Sequence, residues 1–388
     1  ENLPGSVSAQ SWLGYALGAA GLLIALLAPV VGQRADSAGR RRFSVGVWTA
    51  MTVATMAGLC FVRDDYTYLW LGLVLLALGS IFAEFAQVSY NALLRQVSTP
   101  ATIGRVSGFG WAMGYFGGIV LLLTVYLGLI AGDGGLLGAS TTDGLNIRLV
   151  ALVAAVWFAA FAVPLLVMIP ELPATRQQAR LGIAASYRKL LGDLRGLYRA
   201  DPHSVYFLAA SAIFRDGLAA IFTFGAVLAV SVYDIAVADV LLFGIAANVA
   251  AGFGALVAGR IDDRVGPKAV IVGSLIAMLL CGATLLFVSG PVAFWIFGLA
   301  LVLFVGPAQA SSRTYLAMIT PPGQEGQMFG LYATTGRAVS FLAPTLVGVF
   351  SYASGSDRVG IIGILLVIGV GLAALLPVRA PTAAHASS

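Results

Sequence analysis

Apolar residues fill long continuous stretches of this chain, without the alternation of half-buried strands or the single apolar stripe of soluble helices. Each stretch has about 20 residues or more, which is enough for a helix to cross a hydrocarbon core of about 30 Å. Eleven such stretches are predicted, at Trp12–Val31, Phe43–Val62, Tyr68–Leu94, Val106–Ile130, Ile147–Ile169, Ser204–Val230, Ala236–Gly259, Ala269–Val288, Val292–Ile319, Met328–Tyr352 and Val359–Leu376. The sequence therefore predicts an all-α integral membrane protein.

Composition supports this fold class and excludes several functions. Hydrophobic residues make up 59% of the chain and charged residues only 10%, whereas a soluble domain has about 25% charged residues. Cys60 and Cys281 both lie in apolar stretches, so we interpret them as small buried residues, and neither a disulfide nor a metal site is predicted. The net charge of +5 does not indicate nucleic-acid binding, because the basic residues lie beside the predicted membrane ends.

Basic residues also predict how the chain is oriented. Loops on one side of the predicted spans contain sixteen Lys and Arg, and the other side contains only Arg63, Arg148 and Arg358. Because cytoplasmic loops are enriched in Lys and Arg, the richer side and the C-terminus are predicted to be cytoplasmic. We expect the membrane to be a bacterial inner membrane.

One loop on the basic side occurs twice. Gly, Asp, Gly and a basic residue stand at positions 0, +4, +7 and +9 in both copies. Glycines allow a tight turn and a close approach of helices, and the aspartate can cap a helix or pair with an arginine. The residues concerned are Gly32, Asp36, Gly39, Arg40 and Arg41 in the first copy, and Gly259, Asp263, Gly266 and Lys268 in the second.

The repeat extends beyond these loops. At an offset of 222 residues, Gln87–Leu94 is similar to Gln309–Leu316, and Gly104 and Gly108 match Gly326 and Gly330. Two homologous halves are therefore predicted, which is typical of transporters. The predicted domains are 1–170 and 204–379, with a cytoplasmic linker at 171–203 and a tail at 380–388.

The linker and the chain start raise two further expectations. Tyr187, Leu190, Leu194 and Leu197 follow helical spacing, which favours an amphipathic helix on the inner membrane surface, with a solvated linker helix as the alternative. The first loop follows the first span, whereas its second copy follows the second span of its half. We therefore expect one further helix before Trp12, which gives six helices per half.

The loop motif resembles the signature of the major facilitator superfamily, which has the form Gly-x-x-x-Asp-x-x-Gly-Arg-Arg/Lys. The strings Ser89–Leu94, Gly104–Gly118 and Phe214–Gly217 are similar to the vacuolar-effluxer-like family, the bacterial relatives of the autophagy-related vacuolar amino-acid effluxer. Arg95 departs from the proline often found there in the family. The resemblance implies a major facilitator fold, transport of a small solute such as an amino acid by alternating access, and loops that brace one conformational state.

Charges inside the predicted spans indicate where a solute path lies. Ionisable residues there cost about 2.5–3.5 kcal/mol at a helix centre, so they usually face protein or a water-filled cavity. Away from the span ends, five occur, at Glu84, Arg215, Asp216, Arg313 and Arg337. Glu84 and Asp216 are candidate proton carriers, and Arg313 and Arg337 are candidate ligands of a carboxylate or phosphate. The alternatives are structural. Asp216 can form an ion pair with Arg313 or Arg337, which would balance its charge, and Glu84 can be an acid near a helix end that reaches an interface.

Polar neighbours complete the predicted path. Gln87, Tyr90, Asn91 and Gln309 can hydrogen-bond a polar solute, or they can simply bridge helices. No cofactor, metal or catalytic residue is predicted, although proton coupling is compatible with the buried acids. The expected partners are a small solute and the lipid bilayer, with a monomeric protein. The alternatives are a sugar or drug carrier of the same superfamily, and a non-transporting membrane receptor or scaffold.

Overall fold

The structure is a computed structural model that describes residues 9–171 and 183–380. Those residues form α-helices joined by short turns and contain no β-strand. The helices are α1 Ala9–Ala38, α2 Arg41–Gly58, α3 Leu69–Ala92, α4 Ile103–Val125, α5 Ala131–Gly134, α6 Leu145–Met168, α7 Ile183–Ala200, α8 Pro202–Tyr233, α9 Val237–Val265, α10 Pro267–Phe287, α11 Pro291–Leu303, α12 Val305–Ile319, α13 Glu325–Val339, α14 Leu342–Ser354 and α15 Asp357–Leu375.

The predicted span Met328–Tyr352 is not one continuous helix, and in this respect the prediction was wrong. It is divided into α13 and α14 at Ser340 and Phe341. Pro344 explains the break, because it lacks an N–H and its ring crowds the carbonyl of the residue four positions earlier, which is Ser340. As a result, ten helices in the described residues are long and apolar enough to cross a membrane.

A proline also interrupts the span that contains α11 and α12. Their junction at Phe304 lies three residues before Pro307, whose ring faces the carbonyl position of Leu303. In α1, by contrast, Pro29 leaves the helix continuous. The carbonyl of Ala25, four residues before Pro29, accepts a hydrogen bond from the Thr334 hydroxyl at 2.8 Å, which compensates for the lost backbone bond.

The chain divides into two compact units that interleave along the sequence. One unit comprises Glu1–Leu93, Gly118–Tyr187 and Gly323–Thr334, and the other comprises Leu94–Gly117, Arg188–Pro322 and Thr335–Ser388. The start of α4 therefore groups with the second sequence half, and the start of α13 groups with the first. The division into two halves with a linker at 171–203 stays a prediction.

Each unit has its own aromatic core. In the first, Trp48 contacts Phe82 and Phe85 with ring centroids 5.9 and 5.0 Å apart. In the second, Phe207 and Tyr315 stack at 3.9 Å, and both are fully buried. These contacts bring α2 against α3 and α8 against α12.

The linker helix is present as α7. It begins at Ile183, and the preceding part of the predicted linker, residues 172–182, lies outside the described residues. Tyr187 donates its hydroxyl to the Leu26 carbonyl of α1, and Leu190 is 5% exposed. Leu191 and Tyr198 remain about half exposed, so the choice between a membrane-surface helix and a solvated one stays open.

Candidate functional site

The first repeated loop forms a buried ionic cluster. Asp36 accepts hydrogen bonds from the backbone N–H groups of Gly326 and Gln327 at 3.0 and 2.9 Å. Arg41 donates to Asp36 at 2.7 Å and also pairs with Glu325. We call these five residues the first loop cluster. The sequence allowed two roles for this aspartate, and Asp36 has both, because it caps the start of α13 and pairs with an arginine.

The burial of this cluster determines how much stability is lost when one of its charged groups is removed. The side chains of Arg41, Asp36 and Glu325 are 10%, 5% and 7% exposed. A buried ion pair contributes little net stability by itself, but removal of one partner leaves an uncompensated charge. Arg41 lies between the two carboxylates and pairs with both. Asp36 also accepts from two backbone N–H groups, so each of the three charged groups has a partner.

The second repeated loop also caps a helix start, but it has no counterpart of the buried triad Asp36, Arg41 and Glu325. Asp263 accepts from the N–H of Gly104 at 2.8 Å and of Arg105 at 3.3 Å. Its side-chain partner is Arg105, whose guanidinium lies 3.2 Å away and is 57% exposed. We call Asp263, Gly104 and Arg105 the second loop cluster. Each aspartate therefore caps a helix, α13 or α4, that belongs to the other sequence half.

The basic residue at position +9 differs in role between the two copies. Arg41 lies inside the first cluster, whereas Lys268 donates to the backbone carbonyls of Leu376 at 2.8 Å and of Val378, after α15. The position of Glu325, at the start of α13, corresponds at the 222-residue offset to Ile103 in α4. Because Ile103 is not acidic, the second copy has no counterpart of Glu325.

The glycines of the motif serve two separate purposes. Gly39 and Gly266, at position +7, have φ of +63° and +86°, which glycine adopts readily. Gly32 and Gly259, at position 0, instead allow close helix approach. A Cβ on Gly32 would overlap the carbonyl oxygen of Gly326, and a Cβ on Gly259 would lie 2.6 Å from the carbonyl oxygen of Gly104.

Asp262, beside Asp263, was not singled out from the sequence. It is 4% exposed and accepts a hydrogen bond from Ser311 at 2.8 Å. Glu325 and Arg105 were missed as well. A usable signal existed for Glu325, since an acid opens the helix that carries the repeated Gly326 and Gly330.

The predicted path residues of the first half all lie on α3. Glu84, Tyr90 and Asn91 are partly buried, and Gln87 is exposed. Gln87 donates to Asn91 at 3.3 Å, one helical turn away. The structure thus places these four residues along two turns of one helix in the first unit.

Arg215 and Asp216, on α8, flank the break between α13 and α14. Asp216 is 7% exposed and accepts a hydrogen bond from the backbone N–H of Ala343 at 2.7 Å. Ala343 lies in the first turn of α14, where N–H groups have no partner within the helix. Arg215 lies beside Gly336, because a Cβ on that glycine would be 3.3 Å from its Nη1.

The remaining predicted residues of the second half lie on α12 and α13. Arg313 is 5% exposed and donates from Nε to the Ser107 hydroxyl at 3.0 Å and from Nη2 to the Ser107 carbonyl at 2.7 Å. It therefore braces α12 against α4. Gln309 is partly buried, and Arg337 is exposed near the end of α13.

We expect the second loop cluster to tolerate loss of its arginine. Arg105→Ala should change the free energy of unfolding by less than about 1 kcal/mol, because the Arg105 side chain is 57% exposed. Asp263→Ala should cost about 1–2 kcal/mol, because two backbone N–H groups of α4 lose their acceptor. SDS titration in mixed micelles measures both. Equal losses for the two variants would contradict this division of roles.

Solved structures identify the fold of the chain. The chain superposes on the Escherichia coli fucose:proton symporter FucP with a TM-score of 0.73 at 13% identity, over 96% of this chain and 91% of that one. It superposes on the proton:xylose symporter XylE with a TM-score of 0.72 at 14% identity, over 96% and 86%. The protein therefore has the major facilitator superfamily fold, as predicted.

Relatives in sequence narrow the class to a family. An MFS-type transporter of Bacillus subtilis, YxiO, is 25% identical over 97% of this chain and 88% of its own length. Autophagy-related protein 22 of Cryptococcus neoformans is 27% identical over 77% of this chain, which spans only 57% of that relative. The pattern of the family described as "Vacuole effluxer Atg22 like" matches residues 95–387. The chain belongs to this family, whose members are transporters and not enzymes, as predicted.

Proposed function

We propose that the protein is a secondary active transporter that moves a small polar solute across the membrane by alternating access, with an amino acid as the first candidate. The observation that carries this proposal is the reciprocal pair of loop clusters. Each repeated loop caps the start of a helix from the other sequence half, through Asp36 or Asp263. Contacts of this kind can stabilise one conformational state of the transporter, and they must break for the protein to reach the opposite state.

The two clusters would hold that state with different strength. The first has a buried triad, and the second has an exposed arginine. If the loops are cytoplasmic, as the basic residues predict, closed clusters correspond to the state open to the outside. Neutralising Asp36 and Asp263 together should then shift the protein toward the opposite state.

Asp216 is our candidate for proton coupling. Its carboxylate is nearly buried and caps the start of α14 at the break in the span. Protonation would remove the charge that the α14 N–H groups stabilise, so proton binding and the geometry of this break are linked. Glu84, Gln87, Tyr90, Asn91, Arg215, Gln309, Arg313 and Arg337 remain predicted path residues.

The test compares Asp216→Asn with Asp216→Ala in proteoliposomes that contain the complete protein. Asn keeps an oxygen that can accept the Ala343 N–H but cannot bind and release a proton. We expect Asp216→Asn to lose the stimulation by an inward proton gradient of labelled amino-acid uptake, while solute exchange without a gradient continues. We expect Asp216→Ala also to lose about 1–2 kcal/mol of stability, since the cap is removed.

Other results would revise separate parts of the proposal. Gradient-stimulated uptake that survives in Asp216→Asn would make Asp216 a structural cap. Uptake by the wild type that ignores the gradient would indicate a facilitator. No uptake of any amino acid would remove this solute class and favour sugars or organic anions.

A further inference from the structure

A cavity of about 550 Å³ opens between the start of α2 and the end of α6. Its residues belong to one compact unit, and none of them is among the predicted path residues. Its volume lies within the range of about 300–1,000 Å³ that is common for ligand pockets. Its lining divides into a charged rim and an apolar groove.

The charged rim consists of Arg40, Arg42 and Glu171. Glu171 accepts from the backbone N–H groups of Phe43 at 2.7 Å and Arg42 at 3.3 Å, so this carboxylate caps α2. The Arg42 guanidinium lies 3.9 Å from Glu171 and donates to the Ile169 carbonyl at 2.9 Å. Arg40 is exposed. The rim therefore contains two cations and one carboxylate, and this carboxylate already accepts hydrogen bonds from two N–H groups. This excess of positive charge favours binding of an anion.

The groove below the rim is apolar and opens outward. Phe43, Val47 and Leu166 line it, and Phe43 is 60% exposed. Gly46 also lines the groove. A Cβ on Gly46 would lie 3.3 Å from Leu166, so α2 and α6 approach closely there. An exposed apolar groove along two spans suits an acyl chain, and a basic rim at the end of the spans suits a phosphate headgroup.

We propose that this cavity binds one anionic phospholipid, with its phosphate at Arg40 and Arg42 and an acyl chain along Phe43, Val47 and Leu166. Arginine suits the phosphate because its planar fork donates two parallel hydrogen bonds. Arg41, between the two rim arginines, is turned away into the first loop cluster. The site therefore uses residues that the cluster leaves available.

The first experiment measures lipid binding by native mass spectrometry of the purified complete protein. Phosphatidylglycerol and phosphatidylcholine with identical acyl chains are the two probes. We expect preferential binding of one phosphatidylglycerol, and a loss of about thirtyfold in its affinity in the double variant Arg40→Gln/Arg42→Gln, since each basic residue near anionic lipid contributes about 1 kcal/mol. The matched control is Arg260→Gln/Arg264→Gln, which removes two exposed arginines from the second repeated loop and should retain the affinity.

A second variant tests the groove separately from the charges. Ala50 also lines the groove. Ala50→Trp should fill the groove, leave both arginines in place and weaken phosphatidylglycerol binding about tenfold. Equal binding of the two lipids would overturn the proposal, as would equal losses in the two double-arginine variants. Glycerol 3-phosphate that binds as tightly as phosphatidylglycerol would also overturn it, because the site would then take an anion without its lipid.

Discussion

Arg41→Ala should destabilise the protein more than any other single change at the repeated loops. The substitution leaves Asp36 and Glu325 buried without their shared cation, with side chains 5% and 7% exposed. Removal of one partner from a buried ion pair typically costs about 3–5 kcal/mol. SDS titration in mixed micelles measures the loss, and transport in proteoliposomes should fall with it.

Two controls separate this effect from simple loss of a positive charge. Arg105→Ala removes the arginine of the second cluster and should cost less than about 1 kcal/mol. The double variant Arg41→Ala/Glu325→Gln leaves one buried carboxylate fewer, so its loss should be smaller than the sum of the two single losses. Additive losses would contradict a coupled triad.

Gly32→Ala should have the second large effect. The added methyl group would overlap the Gly326 carbonyl oxygen, which is backbone and cannot rotate away as a side chain could. We expect a loss of about 3 kcal/mol, at the upper end for overpacked sites, because displacement of α13 also weakens the hydrogen bonds to Asp36.

Gly21→Ala is the matched control in the same helix. A Cβ on Gly21 would meet no atom within 4 Å. It should leave stability unchanged or raise it by up to about 1 kcal/mol, because alanine is the better helix former. Thermal unfolding of the two variants in detergent measures the difference. Similar unfolding temperatures for both would mean that the close approach at Gly32 is not required.

Much of this arrangement could be predicted from the repeats. The offset of 222 residues matched Gly104 with Gly326 and Gly108 with Gly330, and these glycines do occupy equivalent close contacts. A Cβ on Gly108 or Gly330 would press on the carbonyl of Ala255 or Ala28. The length of the continuous apolar stretches also located the helices, because backbone groups in a membrane must be satisfied within the chain.

Other parts depended on contacts that no local pattern specifies. The charges alone allow Arg313 to pair with Asp216, whereas in the structure its Nε and Nη2 donate to Ser107, about two hundred residues earlier. The capping of Ala343 by Asp216 also required knowledge of which helices are neighbours. The break at Ser340 is different, because it lies four residues before Pro344 and is therefore predictable from the sequence alone.

If the first loop cluster opens during transport, the distance between the end of α1 and the start of α13 must change, and spin labels can measure this distance. Spin labels on Ala38→Cys and Gln324→Cys, with Cys60 and Cys281 replaced by Ala, report the separation of the ends of α1 and α13 by double electron–electron resonance. We predict two distance populations, whose ratio shifts when an amino-acid mixture is added and shifts again in Asp36→Asn/Asp263→Asn. A single distance that responds to neither change would mean that the first loop cluster does not open during transport.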